Sequence, residues 1–280
     1  MSPVIRPAGA AEMPLLVEWA AAEGWNPGLA DAATFRAADA EGFLLAEVAG
    51  LPVACLSAVR QGEGHGFIGF YIVRPEWRGK GLGMALWRAG MARLEGSVVG
   101  LDGVVAQQAN YARSGFALAW RNVRFGAAAP RAVGGAEGEV VPAASVPFAA
   151  LAALDARVFP APREALLRAW LAAPGHRALA VRDGAGAVRG FGVLRLCREG
   201  AKIGPLTATG APFARALFNA LAEGAPGPVF LDLPEPNAAA LALAGEAGMA
   251  PVFETARMYR GPAPALPLDE IFGLMSFELG

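Results

Sequence analysis

Two cysteines and two histidines in 280 residues leave little room for several kinds of chemistry. Cys55 and Cys197 cannot build a disulfide framework. Each sits in a strand-like apolar run and reads as a small buried hydrophobe. His65 and His176 lie far apart, without neighbouring cysteines or paired carboxylates, so no metal site is expected. No run of eighteen or more apolar residues occurs, because charges, glycine and proline interrupt every candidate, and no membrane span is expected. The start, Met1 to Pro7, carries Arg6 but no apolar signal core, so the expected location is cytoplasmic. An excess of one charge is also missing, since 24 Lys+Arg against 25 Asp+Glu leave a net charge of −1. That gives no electrostatic footprint for nucleic acid or an anionic membrane. A local cluster such as Arg74, Arg78 and Lys80 would still suffice for a polyanionic small ligand. What is plentiful is apolar residues, 55% of the chain at mean hydropathy +0.38, enough for large cores. The length is comfortable for two domains.

The most informative stretch is Arg78-Gly79-Lys80-Gly81-Leu82-Gly83. It follows an unbroken apolar run, Phe67 to Val73, and opens a helix predicted to about Leu94. Met84, Trp87, Met91 and Leu94 form one stripe at helical spacing, extended by Leu82, Leu86 and Ala89, and read as core. A strand that ends in a glycine-rich turn and becomes a helix N-terminus is an anion site. First-turn amides lack intrahelical partners, and the helix dipole favours negative charge. Gly81 and Gly83 let a phosphate approach the backbone, and Arg78 adds a charge-assisted fork of donors. No Lys-Ser/Thr pair follows the last glycine, so this is not the Walker loop. The three glycines are also spaced differently from the dinucleotide fingerprint.

The spacing Arg-x-x-Gly-x-Gly resembles motif A of the GNAT acyl-CoA N-acetyltransferases, which binds the pyrophosphate of acetyl-CoA. An apolar strand at Val98 to Leu101 follows, then Asn110-Tyr111-Ala112-Arg113-Ser114-Gly115-Phe116. That segment resembles the Tyr-x-x-x-Gly-Phe stretch that ends the fourth GNAT helix. The resemblance implies an α/β (α+β) fold with a mixed, mostly antiparallel sheet flanked by helices. It also implies acetyl-CoA as co-substrate, no metal, and a small-molecule or peptide amine as acceptor. Arg78, Gly79, Lys80, Gly81, Leu82 and Gly83 would hold the pyrophosphate. Ile72 and Val73, on the strand before, would face pantetheine, with an amide at about one of them as oxyanion donor. Tyr111 would deliver the proton to the departing thiolate, or else simply pack with its hydroxyl hydrogen-bonded.

The acceptor loop implied by the family falls at Glu23-Gly24-Trp25-Asn26-Pro27-Gly28. Glu23 is a candidate base, and Trp25 and Asn26 are candidate acceptor contacts. Alternatively, Glu23 is a solvated last-turn residue and Trp25 a packing anchor. Asp102 is a second candidate base, although a turn role at Asp102-Gly103 competes with it. A non-catalytic acyl-CoA sensor and an enzyme using a longer acyl-CoA are the other readings.

The layout occurs twice. Residues 1–128 read as the acetyltransferase domain and 129–139, rich in Gly, Ala and Pro, as a linker. Residues 140–280 read as a second, degenerate copy. Asp102 and Asp232 follow matching strands, and Gly115-Phe116 matches Gly248-Met249. The second copy has Thr207-Ala208-Thr209-Gly210-Ala211-Pro212 at the anion loop, with Thr209 as an N-cap candidate, and Ala244 where the first has Tyr111. One bound acetyl-CoA per chain is therefore expected. Ile271 to Leu279 is an apolar strand candidate that either crosses to complete the first sheet or pairs within its own half. A homodimer is the assembly the expectation allows.

Overall fold

The computed structural model describes residues 3–280. Met1 and Ser2, the first residues of the segment read above for a leader, lie outside them. The first half contains β1 (Val4–Pro7), α1 (Met13–Ala22), α2 (Asp31–Arg36), β2 (Phe43–Val48), β3 (Leu51–Arg60) and β4 (His65–Val73). It continues with α3 (Leu82–Arg93), β5 (Val98–Val104), α4 (Gln108–Arg113) and β6 (Ala117–Ala127). The second half repeats the order as β7 (Glu139–Pro142), α5 (Phe148–Val158), α6 (Glu164–Ala172), β8 (His176–Arg182), β9 (Val188–Leu196) and β10 (Ala201–Ala208). Then come α7 (Ala211–Ala222), β11 (Val229–Pro234), α8 (Ala238–Glu246), β12 (Ala250–Arg260) and a short β13 (Ile271–Gly273).

All the strands join one mixed sheet, in the order β1-β2-β3-β4-β5-β12-β6-β11-β10-β9-β8-β7, with β13 on β10. Only β4–β5 and β10–β11 run parallel. The halves have exchanged strands. β12 lies between β5 and β6, and β6 lies between β12 and β11. The crossing strand is thus β12 rather than Ile271 to Leu279. In that segment only Ile271–Gly273 is strand, and it pairs within its own half. The remainder, Leu274 to Gly280, runs between the halves, where Gln61 Nε2 donates to the Leu279 carbonyl at 3.0 Å.

The exchange carries a charged signature. Asp102 on β5 lies opposite Arg257 on β12 and accepts from it twice, at 2.8 and 2.6 Å. Asp232 on β11 lies opposite Arg124 on β6 and does the same at 2.6 and 2.7 Å. Each half's aspartate is neutralised by an arginine on the strand donated by the other half. Asp102 is therefore a strand residue with a buried side chain and not the turn aspartate expected from Asp102-Gly103.

One apolar core is shared between the halves. It includes Leu16, Phe35, Phe43 and Phe70 of the first half with Leu166, Trp170 and Phe191 of the second. Phe35 stacks on Trp170 at 5.9 Å and meets Phe70 edge-on at 5.6 Å. Separate cores lie under α3 and under α7 with α8. In α3, Leu82, Leu86 and Trp87 are buried as the stripe requires, and Leu94 follows just past its end. Met84 departs from the expected core stripe, being half exposed and turned to a cavity described below.

His65 begins β4, 5% exposed, with its ring edge-on to Phe159. Burial, then the charges of Arg257 and Arg163, push its pKa down to about 4. The unfolded chain therefore binds a proton near pH 6.5 that the folded chain refuses until about 4, so stability falls on acidification through that window. From pH 7 to pH 5 this group alone should cost about 2 kcal/mol. Denaturant midpoints of His65→Gln should lose that share of the pH dependence. An unchanged slope would remove His65 as its source.

Candidate active site

β4 and β5 pair only from His65 opposite Val98 to Ile68 opposite Leu101. β4 then carries one extra residue against β3, between the Cys55–Ile72 and Ser57–Gly69 pairs. Such a bulge bends a strand, and here Phe70 takes φ +47°, which a residue with a Cβ adopts only when its surroundings enforce it. Its carbonyl accepts from the buried Cys55 Sγ at 3.2 Å, so that cysteine serves the bulge as well as the core. β5 meanwhile follows β12. The two parallel strands part, and a cavity of about 830 Å³ opens between them. Ile72 and Val73 line it on one side and Leu101 to Val104 on the other.

The glycine loop lies where β4 gives way to α3. Gly79 at φ +75° and Gly81 at φ +79° need the left-handed region, and a Cβ built on either meets nothing within 4 Å. The backbone at both positions thus faces open space. Gly81 caps α3 without a side-chain bond to the first-turn amides. Gly83 differs, because a Cβ there would lie 2.8 Å from the Tyr71 hydroxyl, so its role is close packing of α3 on β4. Arg78 donates to the Val73 carbonyl at 2.8 Å and to Glu23 at 2.5 Å. Lys80 turns back onto the Glu76 carbonyl at 3.0 Å and the Trp77 ring at 4.5 Å. Leu82 is buried, so only its backbone is available to a ligand.

Tyr111, on α4, lines the cavity with its ring 5.7 Å from Trp87, and Tyr71 flanks the same indole at 5.4 Å. A Cβ on Gly103 would fall 2.3 Å from the Tyr111 ring, so a glycine in β5 is what lets the phenol lie there. Burial first, then Tyr71, pushes the Tyr111 hydroxyl up to about 12. It stays protonated across the neutral range. Tyr71 was missed from the sequence; the only hint was a polar-tipped residue in the apolar run.

Glu23 and Trp25 also line the cavity. Glu23 is held by Arg78, at the glycine-loop end. The Trp25 carbonyl accepts from Arg124 and from Lys202, each at 3.1 Å, which fixes the loop to the second half. Asn26 does not fit its expected acceptor role. It is not among the residues lining the cavity, and both ends of its amide bond the Glu199 backbone at 2.9 Å. The far wall, missed from the sequence, comes from β6, β12 and the tail: Arg124, Phe253, Thr255, Phe277 and Glu278.

The second half lacks this opening. β10 and β11 pair only from Ala201–Val229 to Ile203–Leu231, and β10 then bulges against β9. β13 fills the gap, pairing Gly273 with Leu206, while the Leu274 amide donates to the Asp232 carbonyl at 2.7 Å. A Cβ on Gly204 would lie 2.1 Å from the Leu274 oxygen. The chain itself occupies the equivalent wedge. The N-cap of α7 is Gly210, not the expected Thr209, whose buried hydroxyl finds no partner.

Family comparison supports both halves. A model of the acetyltransferase (GNAT) family matches residues 12–116, and one of an acetyltransferase (GNAT) domain matches residues 151–273. A holothin acyltransferase of Pseudoalteromonas sp. (strain SANK 73390) is 32% identical over 278 residues, covering 98% of this chain and 94% of that protein. This chain belongs to the GNAT family of acyltransferases. A candidate acetyltransferase from Pyrococcus horikoshii shares the fold with a TM-score of 0.86 at 22% identity, over 100% of this chain and 96% of that one. A tandem GNAT protein from the clavulanic acid biosynthesis pathway gives 0.65 at 15%, over 94% and 100%. The chain is thus a tandem GNAT acyltransferase, and the sensor reading gives way to an enzyme. No helix among the described residues is long and apolar enough to cross a membrane. No group of three or more His, Cys, Asp or Glu among them could hold a metal ion.

Proposed function

We propose that this GNAT acyltransferase moves an acetyl group from acetyl-CoA to the nitrogen of a small amine, at one site per chain. The observation that carries the reading is the open wedge between β4 and β5, which Arg78 lines at the start of the glycine loop while residues 79–83 lie just outside its lining. Gly79 and Gly81 leave space for the pyrophosphate, and the first-turn amides of α3 and the Arg78 fork supply donors to it. For Arg78 to serve, its bond to Glu23 has to open when the donor binds. Pantetheine would extend along Ile72 and Val73, as an added strand in the gap that β5 leaves. An amide of that stretch is the oxyanion donor, and Tyr111 protonates the leaving sulfur.

The filled wedge of the second half supports a single donor site. Calorimetry should give one acetyl-CoA per chain. Two equivalent sites would contradict the reading, and so would no binding at all.

A further inference from the structure

Six charged residues line the cavity, and five are engaged. Arg78 pairs with Glu23, Asp102 with Arg257, and Arg124 with Asp232, while Arg113 donates to Asn110. The sixth is Glu278, 7% exposed, whose carboxylate has no hydrogen bond or ion pair among the described residues. Arg124 and Arg195 reach it through their charges and not through hydrogen bonds, so its oxygens stay free to accept from a ligand in the cavity. Glu278 stands at the inner end of the wedge, since a Cβ on Gly69, beside the bulge, would lie 2.4 Å from the Glu278 carbonyl oxygen. A second group independently lacks a partner. Thr255, 2% exposed on β12, lines the same cavity, and its hydroxyl bonds nothing. Trp25 and the rings of Phe253 and Phe277, which lie 6.2 Å apart, line the same cavity.

We infer that this end of the cavity is the acceptor subsite, that it takes a primary amine on a compact aromatic body, and that Glu278 receives the proton of its ammonium. The inference rests on the acetyl-transfer reading and specifies its acceptor side. Proton transfer to Glu278 frees the lone pair, which forms the C–N bond at the thioester carbon. The C–S bond breaks as that adduct collapses, and the sulfur leaves with the Tyr111 proton. The adduct's remaining N–H proton restores Tyr111, and Glu278 releases its own to solvent. One amide, one free thiol and one proton result. The second half thus supplies a carboxylate at the acceptor end, while Glu23 stands at the glycine-loop end of the cavity.

The test uses benzylamine as acceptor and acetyl-CoA as donor, following thiol release by the parental chain and by Glu278→Gln. At pH 7 the variant should lose at least tenfold in kcat/KM for benzylamine, with acetyl-CoA affinity within twofold and an unchanged Tm. The deficit should shrink above the pKa of the amine, where the base is no longer needed; a purely structural role would not produce that. The charged groups that act on Glu278 are Arg124 and Arg195, and Lys202 and Asp232 act on those two in turn. Lys202, held down to about 8 by burial and then by Arg124, titrates in both proteins and so cancels. Parental kcat/KM in Glu278→Gln would overturn the base assignment. A lysine-containing peptide preferred over benzylamine, or no turnover of benzylamine, would overturn the acceptor class. In each of those cases acetyl-CoA binding still stands. Loss of donor binding in the parental chain would instead sink the underlying acetyl-transfer reading.

Discussion

Tyr111→Phe should lower kcat by roughly 10²–10⁴, the range for removing a positioned general acid, with acetyl-CoA affinity nearly unchanged. The ring keeps its place over Gly103 and against Trp87, so only the proton is lost. kcat and kcat/KM should fall together, because the bond is made as sulfur charge develops and not in the ground state. The pH profile adds an independent check. An acid acts in its protonated form, so raising its pKa to about 12 moves the descending limb it causes upward. The parental enzyme should therefore show no loss from this group below about pH 11. Tyr71→Phe is the control, since its hydroxyl sits against Gly83 at the start of α3. Near-parental turnover in Tyr111→Phe with a large loss in Tyr71→Phe would transfer the role to Tyr71.

Local order was legible in this chain because its signals are local. The Phe67 to Val73 run, the glycines after it and the striped helix define a strand-loop-helix unit within about thirty residues. The repeat was legible for the same reason, since each half carries its elements in the same order. The exchange of β6 and β12 was not legible. Both strands follow a helix and a Gly-aromatic or Gly-Met turn, and nothing local says which sheet edge they join. Only the opposed pairs Asp102–Arg257 and Asp232–Arg124, about 110 to 155 positions apart, distinguish the alternatives. The acceptor wall was hidden by the same exchange, because Thr255 and Glu278 reach the first half's wedge from the end of the chain. Asn26 misled because an exposed-looking amide in a Gly/Pro loop serves equally well to bond a neighbouring turn. For Asp102, an Asp-Gly pair suggests a turn, but the glycine is there to admit the Tyr111 ring.

Arg257→Met should destabilise the chain by about 3–5 kcal/mol, the cost of leaving a buried charge without its partner. The Asp102 carboxylate is fully buried, and among the described residues its other donor is Asn122, at 2.7 Å. Asp102→Asn should cost a similar amount, for it strands the guanidinium while keeping an acceptor for Asn122. The double variant should be more stable than either single one, because both charges are gone. Methionine would then lie among the Phe67 and Trp120 rings that now face the guanidinium at 5.1 and 5.6 Å. The measurement is denaturant unfolding of the three variants, with the coupling taken from the cycle. Singles within about 1 kcal/mol of the parent would mean that water reaches the pair, since exposed ion pairs contribute no more than that. The exchange also dictates the shape of the transition. Each half's sheet contains a strand of the other, so neither can open without breaking the β12–β6 seam, and the parental chain should unfold in one step. Arg257→Met weakens the β5–β12 junction, which holds the exchanged strand in the first half's sheet. An intermediate appearing in Arg257→Met and in the double variant, and not in the parent, would mark the pair as what couples the halves.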